Sequence, residues 1–167
     1  MPMKTSVQER ARSGDPTTSS IAAALLSVSR ATNQVKAHDT LCRRAGVDLD
    51  RSGSALLYSL YSEGENVRVT DLAERLGVDS PGVTRKVQQL EREGLVSRSA
   101  DPDDARASRL KLTPRGRRSI EALLWARERW LEGLLDGWSD ADRRAFARLL
   151  ALFAATIVDA GGPAGGS

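Results

Sequence analysis

Histidine and cysteine are almost missing from this chain: each occurs once, as His38 and Cys42. A single cysteine excludes an internal disulfide framework and suits a reducing, cytoplasmic setting. A single histidine leaves no Ser-His-Asp set in any evident context and no His-Glu-x-x-His, and no glycine-rich phosphate loop stands in for them. His38 with Cys42 would make a nucleophilic dyad without an orienting third group. Paired acids such as Asp103 and Asp104 fall in a turn too exposed to raise a carboxyl pKa by burial. These absences argue against an enzyme, and no cofactor is expected. Long apolar runs are lacking too: the six apolar residues at 21–26 fall far short of a membrane span. Residues 1–20 are polar, without the charged-then-apolar order of a signal peptide. The expected protein is soluble and intracellular.

What is present is enough for a folded core. The 167 residues are 40% hydrophobic and 28% charged, a globular balance, and a chain of this size buries about 70% of its unfolded surface. The net charge of +3 hides a local asymmetry. From Asp104 to Arg118 six basic residues (Arg106, Arg109, Lys111, Arg115, Arg117 and Arg118) face one acid. Such a stretch attracts polyanions, although a charge run is more often a solvated face.

Residues 1–17 show no periodicity and read as a flexible arm; the glycine-rich residues 161–167 read as a flexible tail. Between them the period is mostly helical. Ile21, Leu25, Val28, Thr32 and Val35 mark one face of a helix over 18–45, closed by Gly46. A second helix starts at an Asp50 N-cap and stops near Gly64. Val67, Arg68 and Val69 are too few for a helix and read as a strand. Thr70 caps a short helix to Leu76, ended by Gly77. Ser80 and Pro81 open another, with Ser as cap and Pro where its missing N–H costs nothing. Residues 95–99 and 108–112 alternate in character around a turn-rich 100–107, which predicts a hairpin. A long helix over 114–137 and a last one from Ser139 complete the chain.

Strand, helix, turn, helix, strand, basic loop, strand is the order of a winged helix-turn-helix. The expected fold is mainly α with a small β wing, flanked by N- and C-terminal helices. Leu72, Ala73, Leu76, Val83, Val87 and Leu90 would pack the two central helices together. The second is then left presenting Ser80, Gly82, Thr84, Arg85, Lys86, Gln88 and Gln89. A helix fits the major groove, where Arg85 can pair with guanine and Gln88 with adenine. Small Ser80, Pro81 and Gly82 let the helix N-terminus approach a phosphate. Arg106, near the hairpin tip, can enter the minor groove, with Asp104 holding its guanidinium. Arg98 and Arg109 on the hairpin strands complete the DNA-facing set.

Residues 70–78, 83–98 and above all 101–106 followed by Leu112-Thr113-Pro114-Arg115-Gly116 are similar to those of one family. In its wing signature an Asp two residues before an Arg precedes Leu-Thr-x-x-Gly. On these residues the chain, over about 20–158, resembles the MarR family of bacterial transcriptional regulators. The resemblance implies a homodimer whose first helix and last two pair across a two-fold axis, reading a pseudo-palindromic operator. It divides the chain into a dimerisation helix at 18–45, a DNA-binding domain at 46–113 and dimerisation helices at 114–160. Independently, the flanking helices carry more apolar surface than the winged part can cover, which calls for a partner chain.

Family members commonly answer small, often aromatic ligands held between the dimerisation and DNA-binding parts. Tyr58, Tyr61, Trp125, His38 and Cys42 are the candidates here, with core packing as the plainer role for aromatics at helical spacing. His38 and Cys42 lie four apart on one helical face, so a buried thiol beside a satisfied histidine competes with a redox sensor. The family's peroxide sensors place their cysteine near the start of the first helix, whereas Cys42 is near its end. Two soft ligands are too few for a metal site, and none is expected. A repressor released by a ligand is the first reading. A Cys42 redox sensor or a winged-helix interaction module without specific DNA binding are the alternatives.

Overall fold

The computed structural model describes residues 15–32, 35–64, 67–76, 80–101 and 108–160. Their order is α1 (Pro16–Thr32), α2 (Val35–Ala45), α3 (Arg51–Glu63), β1 (Val67–Arg68), α4 (Val69–Leu76), α5 (Ser80–Arg92), β2 (Val96–Ala100), β3 (Ser108–Leu112), α6 (Pro114–Leu134) and α7 (Asp140–Asp159). The fold is mainly helical with one three-stranded antiparallel sheet, ordered β1-β3-β2. Two units divide it, Met1–Ala126 and Arg127–Ser167.

The stretch expected as one helix over 18–45 is described as α1 to Thr32 and α2 from Val35, with residues 33 and 34 outside the described residues. Side chains tie the end of α1. The Thr32 hydroxyl turns back to the Val28 carbonyl at 2.8 Å, and the Arg51 guanidinium caps the Thr32 carbonyl at 2.5 Å. At the other end the Asp15 carboxylate accepts from the N–H groups of Thr17 and Thr18, each at 3.2 Å. Those two bonds hold its carboxyl below the usual range.

The core of the first unit is built from α3 to α6. Leu56 and Leu57 of α3, Leu72 of α4, Val87 and Leu90 of α5, Leu110 of β3, and Ile120 and Leu123 of α6 are all at most 2% exposed. Each such side chain stabilises the fold by about 1.5–3 kcal/mol relative to exposure. The strand grammar is legible in β3, where Leu110 and Leu112 are buried and Lys111 between them is exposed. Its partners are in register from Val96↔Leu112 to Ala100↔Ser108 on one side and at Val67↔Leu110 and Arg68↔Arg109 on the other. β1 stops after Arg68 because Val69 already belongs to α4.

The corner between sheet and α6 explains the Leu-Thr-x-x-Gly pattern. The Thr113 hydroxyl donates to the Gly94 carbonyl at 2.7 Å and accepts from the Gly116 N–H at 3.0 Å. Thr113 therefore caps the helix and ties it to the turn before β2. A Cβ on Gly116 would sit 1.9 Å from the Leu95 carbonyl oxygen, so only glycine fits that approach.

In the second unit Ser139 caps α7, accepting from the Asp142 N–H at 3.1 Å, and Trp138 tilts against Phe146 with ring centroids 5.5 Å apart. No residue of α7 or of α1 is buried in the single chain.

Candidate nucleic-acid interface

Helix α5 is amphipathic, and its packing decides which side chains it offers. Val83, Val87 and Leu90 are at most 3% exposed. Pro81, Arg85, Gln88 and Gln89 lie on the open side, with Gly82 and Thr84 half-buried between. Ser80 is the first residue of α5. Arg85 and Gln88 take no side-chain partner among the described residues, so their donors and acceptors face outward. Gln89 is more committed: its amide donates to Glu93 at 2.9 Å.

Lys86 is engaged within the chain. Its ammonium donates to Asp50 at 2.6 Å and to the Gln89 amide oxygen at 2.8 Å. Asp50 is the N-cap of α3, accepting from the Gly53 N–H at 2.7 Å. Burial pushes the Asp50 carboxyl up, but the bonds from Lys86 and Gly53 outweigh it and hold the group below the usual range. One carboxylate thus caps α3 and fastens α5 to it. Arg98, on β2, is 3.4 Å from Glu91 of α5, a long, half-exposed ion pair.

The strongest electrostatic feature lies at the base of the hairpin, and of its three residues only Arg109 was among the sequence candidates. Asp101, immediately after β2, has a fully buried side chain. Arg68 Nε of β1 donates to its Oδ2 at 2.7 Å. Arg109 of β3 reaches it twice, with Nε 2.9 Å from Oδ2 and Nη2 donating to Oδ1 at 3.2 Å. A buried carboxylate without partners would cost several kcal/mol, and the two guanidinium groups remove that penalty. In return the Asp101 bond and charge keep Arg68 protonated further above its ordinary value. Sequence alone does not show that Arg68 and Arg109 stand opposite each other, because that follows from strand register. Asp104 and Arg106, expected at the hairpin tip, lie outside the described residues.

Of the side chains proposed for a ligand, His38 and Cys42 are brought together. His38 and Cys42 are buried, and both turn to the Leu49 carbonyl, with His38 Nε2 at 2.8 Å and the Cys42 thiol donating at 3.3 Å. The two side chains are themselves 3.3 Å apart, and Ser54 Oγ is 3.4 Å from the same ring nitrogen. Both side chains are thus engaged within the chain. Tyr61 is half-buried, with the Arg117 guanidinium 5.6 Å from its ring centroid. Tyr58 and Trp125 are exposed. An open cleft of about 270 Å³ lies elsewhere, lined by the 46–49 loop, Glu93 and Leu95 after α5, and Arg115 and Ser119 of α6.

The MarR family model matches residues 51–108, from α3 to the start of β3. The uncharacterized HTH-type transcriptional regulator YdgJ of Bacillus subtilis (strain 168) is 36% identical over 103 residues, or 62% of this chain. The match spans 62% of that relative's length, a little under two thirds. A solved MarR family protein from Bacillus stearothermophilus shares the fold with a TM-score of 0.74 at 24% identity, covering 87% of this chain and 99% of that one. A mutant of S. aureus MepR, solved bound to an oligodeoxyribonucleotide, shares it with a TM-score of 0.57 at 19% identity, covering 82% and 97%. With the element order, the Thr113–Gly116 corner and the outward face of α5, these likenesses give the chain the winged helix-turn-helix fold, with residues 51–108 matching the MarR family of transcription regulators.

Proposed function

We propose that the chain is a homodimeric repressor that holds a pseudo-palindromic operator and releases it when a small ligand binds. The observation that carries the DNA-binding part is the open face of α5, where Arg85 and Gln88 point outward opposite the buried Val83, Val87 and Leu90. Arg85 reads guanine and Gln88 reads adenine in the major groove. Ser80, Pro81 and Gly82 bring the helix start against a phosphate. Arg106 supplies a minor-groove contact. The MepR complex supports this reading by showing the same fold on DNA. Dimerisation is supported by the apolar residues that α1 and α7 leave exposed, among them Ile21, Leu26, Leu150 and Phe153.

Release follows from differential affinity: a ligand shifts the dimer only as far as it prefers the conformation that does not fit DNA. The cleft beside the 46–49 loop suits such a role, because that loop leads directly to Asp50 and so to Lys86 of α5.

The test is a set of operator duplexes substituted one base pair at a time. Arg85→Ala and Gln88→Ala should each cost about 1–3 kcal/mol on the intact operator and relax preference at one base position each. Full preference retained in the double variant would refute α5 as the reading helix.

A further inference from the structure

Arg68 and Arg109 are direct cross-strand partners in the β1–β3 register. Like charges facing each other across an antiparallel pair repel and would loosen the pairing. Asp101 lies between them and accepts from both, on a side chain that is 0% exposed. It follows β2, so one carboxylate reaches across the middle strand to the far edge and straps all three strands where the hairpin loop begins. Arg68 spends only its Nε on this bond among its described contacts, and 40% of its side chain stays exposed. Carboxylate-held guanidinium groups have a fixed fork geometry, the geometry that matches a phosphate.

We propose that Asp101 is a positioning residue that orients Arg68 at the wing base as a contact for a DNA phosphate, with Arg109 completing the strap. This rests on the DNA-binding reading above and adds a contact to it that lies on β1, away from α5 and from the hairpin tip. The contact is to the backbone, so it strengthens binding to every sequence alike. Asp101 itself touches no DNA.

Charge alone and positioning predict opposite signs, which makes the proposal testable. Asp101→Asn removes a negative charge near a polyanion. If Asp101 acted only through its charge, the variant would bind DNA more tightly. If it orients Arg68, the variant binds more weakly, by about tenfold, the scale of one or two lost phosphate contacts. The experiment measures binding of the full-length protein to its upstream duplex and to a scrambled duplex, from about 50 to 200 mM salt. Circular dichroism melting of each variant is recorded alongside. Arg68→Ala, on a part-exposed side chain, keeps the test open if Asp101→Asn does not fold. It should weaken both duplexes by the same factor and lower the salt slope by about 0.9. Arg68→Lys, which keeps charge but not the fork, should recover the slope without the full affinity.

Unchanged or tighter binding by a folded Asp101→Asn, or an unchanged slope in Arg68→Ala, overturns the assignment and leaves the α5 reading intact. A wild-type protein that binds neither duplex overturns both.

Discussion

At the residue scale the clearest constraint is Gly116. Its Cα passes so near the Leu95 carbonyl that an added methyl would lie 1.9 Å from that oxygen. The neighbour is backbone at the start of the sheet and cannot rotate away. Gly116→Ala should therefore destabilise at or beyond the upper end of the ~1–3 kcal/mol seen for overpacking, read by urea unfolding. A change below about 0.5 kcal/mol, the ordinary scale of surface substitutions, would mean that the corner is loose. Cys42 makes a second residue-scale case. Its thiol is 5% exposed and donates to Leu49, so an aromatic disulfide reagent should label it only as the protein unfolds. Rapid labelling of the native protein would reopen the redox reading.

At the scale of elements, α5 is held by a cap that titrates. Asp50 is depressed in the folded state, so its contribution is present above the ordinary carboxylate value of about 3.9. It is lost as pH falls through the lower folded value. Asp50→Asn keeps a good N-cap but loses the charged partner of Lys86. The stability gap between wild type and variant should thus close below about pH 4 in thermal melts across pH. Because the Asp50 side chain is 57% exposed, the gap should be small. A gap constant with pH would show that the Lys86 bond is immaterial to the fold.

Elements were legible in the sequence wherever one local signal decided them. Asp50 and Ser139 were readable as caps, Gly64 as a stop, and the alternation at 108–112 as a strand, since each needs only neighbours in sequence. The Arg51 bond to the Thr32 carbonyl was not, because the two residues lie nineteen apart. Asp101 was missed for the same reason: its partners at 68 and 109 come together through sheet register. The bond from Lys86, expected on the DNA-facing side, to Asp50 was not legible either, since the two meet only in the fold. The outward positions of Arg85 and Gln88 were readable, since buried residues at 83, 87 and 90 fix the opposite face.

At the scale of the whole molecule the apolar side chains exposed on α1 and α7 call for a second chain. Leu150 is 49% exposed in the single chain. Leu150→Glu should be nearly neutral in a monomer, within about 0.5 kcal/mol, but should split a dimer that buries it. Sedimentation equilibrium of the wild type should give twice the 18.0 kDa chain mass, and the variant should fall towards one. Equal masses for both would move the dimer contact away from α7. The central claim, that this molecule chooses a DNA sequence, is tested most directly by fluorescence anisotropy. The full-length protein would be titrated onto its own upstream duplex and a scrambled one at about 50 and 200 mM salt. The account predicts a preference of about a thousandfold or more, with affinity falling steeply with salt on both duplexes. Equal and weak binding to the two duplexes would contradict it.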